Sequence, residues 1–219
     1  MSITFEFTEN SKAPSVITKG KFSTPVWIQQ EWTDGEYAKY IVQNGCGHCS
    51  AAMALNLCGV KITPYEEYLL CRKMWGAPRQ GEPLFEENYL SGTGIENVIN
   101  SLGVPAKAYG VEKGKTKESA EHIFESLNEG KSVVLWSHPS AKLCDNPFSP
   151  GEHWILLCGL CDDGKILVAN SSKRGKTDRG IQFTDIETVE KVLFEGSEIN
   201  DYTWGRHNLL GGGAYVVVG

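Results

Sequence analysis

The chain has 219 residues, 41% of them hydrophobic and 22% charged, with a formal net charge of −6. That length supports one sizeable core and the composition is that of a soluble globular protein. The acidic balance, with no Lys/Arg-rich stripe, excludes a nucleic-acid binder that works through a basic surface. No apolar run approaches the ~20 residues of a membrane span. The segment Met1–Phe7 alternates like a strand and has no basic-then-apolar leader pattern, so a cytoplasmic location without a membrane partner is expected. The 7 cysteines are odd in number and irregularly spaced, which fits free thiols in a reducing compartment better than a disulfide framework.

In chain order, Ile3–Phe7 and Pro25–Gln29 read as short strands. Glu36 to Gly45 reads as helix or loop. Cys46–Leu57 reads as a buried helix, apolar over two turns, with Gly59 as a stop. Pro64–Trp75 reads as a second helix, with Thr63 as N-cap and Pro64 in the first turn. Residues 76–90, rich in Gly, Pro and Glu, read as a loop. Gly92–Leu102 and Lys117–Asn128 read as amphipathic helices, each followed by a glycine. Ser132–Trp136, His153–Leu160, Lys165–Asn170 and Ala214–Val218 are strand-like. The loop 137–152 between the first two of these is expected to edge a cleft. The basic run Lys173-Arg174-Gly175-Lys176 reads as a solvated loop. Helices first and strands later imply an α+β domain over 1–219, with a helical part at about 30–130 and a mostly antiparallel sheet at about 131–219.

The chemistry concentrates in Gly45-Cys46-Gly47-His48-Cys49-Ser50. A thiol at the first residue of a helix lies where partial positive charge and unpaired N–H groups favour the thiolate. Flanking glycines let other backbone approach the sulfur. Three chemistries use such a group. Disulfide exchange uses the tetrapeptide Cys46-Gly47-His48-Cys49, which is that of protein disulfide isomerases. Those sites follow an apolar strand within a βαβ unit, and residues 36–45 do not read as one. A zinc site would need Cys46/Cys49 and Cys158/Cys161 around one ion, yet Cys158 and Cys161 straddle a strand end and face opposite sides. Nucleophilic catalysis needs a base and a group that orients the base.

Among the 5 histidines, His48 sits ~200° round the helix from Cys46. His122 lies on an amphipathic helix, and His138 and His207 lie in loop sequence. His153 opens an apolar strand and therefore sits at a sheet rim. The next strand ends at Asn170. If Leu160 pairs with Lys165 across a four-residue turn, Asn170 lies opposite Ile155, on the face of His153 and ~7–8 Å from it across the diagonal. A three-residue loop would put Asn170 on the wrong face. The catalytic reading thus predicts the four-residue turn.

This order of Cys on a helix N-terminus, His opening a late strand and Asn-Ser ending the next resembles the papain-like cysteine peptidases. It is most similar to the group of bacteriocin-processing peptidases that cut after double-glycine leaders. The residues that carry the likeness are Gln29 or Gln30, Gly45-Cys46-Gly47, Glu152-His153-Trp154 and Asn170-Ser171, over about two thirds of the chain. His48-Cys49 stands where that group has Pro-Thr, Glu152 displaces its Gly, and Asn170 replaces the commoner Asp.

The resemblance implies a thiol hydrolase acting on a peptide or amide-containing substrate, without a cofactor. Cys46 would be the nucleophile, held as thiolate by the helix dipole and by His153 as imidazolium. Asn170 would orient His153. Gln29, preferred over Gln30 and Gln43 by its spacing from Pro25, would stabilise the oxyanion with the N–H of Cys46. Acyl transfer to an amine by the same triad, thiol–disulfide exchange, and a non-catalytic binding module on the same scaffold are the alternatives.

Overall fold

The computed structural model describes residues 2–75, 91–138, 146–195 and 214–219. The expected loop 76–90, residues 139–145 of the loop 137–152, among them Cys144, and His207 lie outside the described residues. The described residues form nine strands: β1 (Ile3–Phe7), β2 (Ser15–Lys19), β3 (Phe22–Val26), β4 (Ala106–Tyr109), β5 (Ser132–Ser137), β6 (His153–Leu160), β7 (Ile166–Ala169), β8 (Ile181–Thr184) and β9 (Tyr215–Val218). The helices are α1 (Ala38–Asn44), α2 (Cys46–Leu57), α3 (Pro64–Trp75), α4 (Gly92–Ser101), α5 (Thr116–Asn128) and α6 (Ile186–Val192), with a 3-10 turn at Gln29–Glu31.

Strands β1, β2 and β3 form an antiparallel three-stranded sheet. The larger sheet runs β4-β9-β5-β6-β7-β8, with each neighbouring pair antiparallel. It is covered on both faces, so β5, β6 and β7 read as continuous apolar runs rather than alternating ones. Trp154, Leu156 and Cys158 of β6 join the core built around Ala51, Met53 and Leu55 of α2. Ile155 and Leu157 join a second core with Ile123 and Leu127 of α5 and Val189 and Val192 of α6. Helix α2 is buried over eleven of its twelve residues, all but Cys46, because protein surrounds it on every side.

The α+β class with a mostly antiparallel sheet holds. The helical and sheet parts interleave more than expected, because β4 belongs to the large sheet although it precedes α5. Helices α2 and α3 have the expected bounds. Thr63 caps α3 through a reciprocal box, its hydroxyl accepting from the Glu66 N–H at 3.2 Å while Glu66 Oε2 accepts from the Thr63 N–H at 2.8 Å. The expected strand Pro25–Gln29 instead ends at Val26, and Gln29 begins the 3-10 turn. Strands β2, β4 and β8 and helix α6 carry no strong periodic signal. β2 places Ser15, Ile17 and Lys19 on its buried side, a pattern that hydropathy alone does not mark.

The β6–β7 register departs from expectation in an instructive way. Leu160 pairs with Ile166 rather than Lys165, and Gly159 with Leu167. The register then shifts, so that Leu157 pairs with Val168 and Leu156 with Ala169. Cys158 is the extra residue of a β-bulge. A longer connection moves the ladder by one residue and the bulge moves it back. Continued past Ala169, the ladder sets Asn170 opposite Ile155, on the face of His153. The bulge is held from below: Lys19 Nζ, from buried Lys19, donates to the carbonyls of Cys158 (2.8 Å) and Lys131 (2.8 Å) and to Ser132 Oγ (2.9 Å).

Candidate active site

Cys46 opens α2 directly after α1, with Gly45 between them. A Cβ on Gly45 would lie 2.4 Å from the Ile41 carbonyl oxygen, so the two helices can meet this closely only through glycine. The first residue of α2 reaches the end of β6, where the Trp154 backbone N–H donates toward the Cys46 sulfur. Trp154 is the neighbour of His153.

His153 and Asn170 lie on the sheet face of Ile155 and Val168, opposite the face that α2 covers. His153 Nε2 lies 2.8 Å from Asn170 Oδ1. The orientation of the amide is fixed by its other partners: Nδ2 donates to the Phe148 carbonyl at 2.8 Å, and Oδ1 accepts from the Ser172 N–H at 2.9 Å. An oxygen that accepts requires His153 to carry its proton on Nε2. Nδ1 is thereby left with the lone pair.

Cys46 and His153 line one cleft of about 400 Å³, together with Gln29, Gln43, Glu152 and Arg174. Gln29 is buried, Gln30 is half-buried and Gln43 is exposed, although all three border the cleft. The Gln29 amide is positioned by Val42, whose carbonyl accepts from Nε2 at 3.3 Å, and by the Ser171 hydroxyl, which donates to Oε1 at 3.4 Å. The cleft thus gathers all four residues singled out from the sequence, Asn170 through His153.

The electrostatics differ from the expected thiolate–imidazolium pair. Burial pushes the Cys46 thiol up against the opposing pull of the backbone N–H groups of Trp154, Gly47 and Cys46, and the Glu152 carboxylate pushes the same way as burial. Burial pulls His153 down to about 4; the Asn170 hydrogen bond opposes this and the Arg174 charge adds to it. Desolvation disfavours both charged forms, so each group is driven toward neutrality.

The remaining histidines fall elsewhere. His48 is buried and its Nδ1 meets Glu67 Oε2. His122 is half-buried, with Nδ1 2.9 Å from the Tyr215 hydroxyl. His138 pairs with Glu152 at 3.5 Å. The disulfide-exchange reading loses support as well. α2 follows a helix and not a strand, and burial pushes the Cys49 thiol well up instead of activating it. Cys158 is likewise pushed up to about 12 by burial. Neither Cys pair belongs to a metal-competent group among the described residues.

Several contributors were not foreseen. Arg174 faces the cleft, and Gly175 packs against the site: a Cβ there would lie 2.3 Å from the Phe148 oxygen and 2.7 Å from Asn170 Nδ2. The basic run is a solvated loop, as expected, with Lys173, Arg174 and Lys176 exposed, and through Arg174 it also edges the cleft. Its composition resembles that of any surface turn and carries no signal. Gly175→Ala is expected to displace the Asn170 amide and lower kcat/KM about tenfold or more, since sub-ångström errors in positioning are costly. Steady-state kinetics check this, and an unchanged kcat/KM in the folded variant contradicts it.

A comparison with solved structures finds similarity to a double glycine motif protease from an AMS/PCAT transporter in complex with the leader peptide. The identity is 15% and the TM-score 0.40, covering 78% of this chain and 81% of that one. No curated protein matches the sequence. No helix among the described residues is long and apolar enough to cross a membrane. The model of one protein family matches residues 25–195, from β3 through α6 and across the whole cleft, and the chain accordingly belongs to the Peptidase_C39 like family as a cysteine peptidase-like hydrolase.

Proposed function

We propose that this peptidase cleaves peptide or amide bonds through Cys46, His153 and Asn170, by way of a thioester acyl-enzyme. The observation that carries the reading is the shared cleft of Cys46 and His153, with Asn170 fixing the imidazole so that Nδ1 is the free base. With His153 held near 4, the imidazole is neutral at physiological pH. It therefore acts as a general base, removing the Cys46 proton as sulfur attacks the scissile carbonyl. The imidazolium so formed returns that proton to the leaving amine. Asn170 Oδ1 accepts from Nε2–H throughout and holds the ring in plane. The Gln29 amide and the Cys46 N–H stabilise the oxyanion, a contribution of ~3–4 kcal/mol per donor in comparable sites. Water then enters on the side of the departed amine and His153 deprotonates it to release the acid.

The test is to trap the intermediate. A rapid acid quench with a peptide substrate, followed by mass spectrometry, is expected to show one acyl adduct on Cys46 that neutral hydroxylamine removes. An adduct elsewhere, or turnover with no hydroxylamine-sensitive species, contradicts the scheme. With a primary amine added, the free acid is expected to remain the main product. A dominant amide product would reassign the enzyme to acyl transfer.

A further inference from the structure

Behind the nucleophile helix lies a second cluster that the proposed peptidase chemistry does not use. His48 on α2 faces Glu67 and Cys71, which stand one helical turn apart on α3. The three are buried at 1%, 1% and 0% exposure. Cys71 Sγ lies 3.2 Å from Glu67 Oε1 and 4.0 Å from His48 Nδ1, while His48 Nδ1 meets Glu67 Oε2. One donor atom from each residue lies within 4.8 Å of the other two. His48 Nδ1 is the nitrogen that faces the other two residues, while Nε2 is buried with no hydrogen-bond partner among the described residues. The ion-pair partner of the Glu67 carboxylate is a single imidazole, and the rings of Tyr40 and Tyr68 pack on that imidazole at 5.9 and 5.2 Å between centroids.

We propose that His48, Glu67 and Cys71 form a binding site for a divalent ion of the zinc class that clamps α2 to α3. The donor set is one imidazole nitrogen, one carboxylate oxygen and one thiolate sulfur, a combination that suits a borderline-soft ion and not calcium or magnesium. A carboxylate and a thiolate carry two negative charges, which a divalent cation neutralises with the imidazole left uncharged. A buried set of this kind is then neutral overall, the condition a low-dielectric interior favours. Tetrahedral bonds of about 2.0–2.3 Å place neighbouring donors ~3.3–3.8 Å apart. The Cys71 pairs already bracket that spacing, and the His48–Glu67 contact opens to admit the ion. On binding, the Cys71 S–H proton and the His48 Nδ1 proton leave to solvent as the metal–sulfur and metal–nitrogen bonds form, the ring stays neutral with its proton on Nε2, and no oxidation state changes. A water completes the coordination.

The test uses the full-length chain carrying Cys46→Ala, so that the cleft thiol cannot bind metal, after chelator treatment and reduction. One equivalent of Co²⁺ is expected to give thiolate-to-cobalt charge-transfer absorption and tetrahedral visible bands. One equivalent of Zn²⁺ is expected to raise the Tm by about 5 °C or more, because the ion binds the folded state alone. Added separately to that chain, Cys71→Ser and Glu67→Gln are expected to weaken Zn²⁺ at least tenfold in a chelator competition. Cys49→Ser, Cys58→Ser and Cys161→Ser leave the affinity unchanged. If the Cys71 variant does not fold, X-ray absorption on the Zn²⁺-loaded parent decides, with one sulfur and otherwise nitrogen or oxygen neighbours expected. Absence of charge-transfer absorption together with an unmoved Tm, a shell of two or more sulfurs, or undiminished affinity in Glu67→Gln or Cys71→Ser overturns the proposal.

Discussion

Cys46→Ala is expected to lower peptide hydrolysis by at least ~10³-fold while leaving the urea unfolding midpoint nearly unchanged. Removing the nucleophile of a thiol or serine hydrolase removes the covalent route and leaves only what binding and oxyanion stabilisation supply. Stability is spared because Cys46 is the one residue of α2 that is only half-buried, its side chain lying at the edge of the core where it borders the cleft. The members of such a unit act together, so adding His153→Ala to Cys46→Ala is expected to cost little more. Kinetics on the two single variants and the double variant, with denaturation curves for each, provide the check. Full activity in Cys46→Ala eliminates the proposed mechanism, and strict additivity in the double variant eliminates the pairing of the two groups.

The second large effect is on stability and comes from His153. Burial lowers its pKa from 6.5 to about 4 in the folded protein. Between those values the unfolded chain takes up a proton that the folded chain refuses, so folding is penalised as the pH falls. The contribution is fully present above pH 6.5 and is lost progressively down to about 4. Over that window it amounts to ~3 kcal/mol, because a tenfold difference in proton affinity between the folded and unfolded chain is worth about 1.4 kcal/mol. His153→Gln, which can still hydrogen-bond Asn170, is expected to flatten the fall in unfolding free energy between about pH 7 and pH 4 by that amount. Parallel curves for the parent and the variant would mean that His153 has the same proton affinity in the folded and the unfolded chain, and would contradict the lowered value.

Helix α2 is legible in the sequence because its signals are local. No residue from Cys46 to Leu57 carries a formal charge, and a glycine stands close to each end. His153 is legible for a similar reason, as a polar residue opening an apolar strand. Asn170 is reached by a register argument whose conclusion holds although its turn does not. That argument requires an unbroken ladder, whereas the chain uses a longer connection and compensates at Cys158. Bulges leave no periodic trace. The Gln29 turn reads as strand because Trp27 and Ile28 are buried on both sides of the chain, which hydropathy cannot tell from a sheet. The charge state of the Cys46–His153 pair escapes the sequence because a helix terminus is visible there and desolvation is not. Gly175 and Arg174 reach the cleft through tertiary folding alone.

Lys19 gives the N-terminal hairpin a role that its position would not suggest. The stretch shared with the family starts at residue 25, so the ammonium that satisfies the Cys158 carbonyl is supplied from upstream of it. Trimming the protein to its family-matched stretch would deprive the extra residue of β6 of its cationic donor. Were the ladder to relax by a single step, Asn170 would turn to the far side of the sheet and His153 would lose the oxygen that steers it. A residue outside the family-matched stretch thus bears on side-chain parity within it.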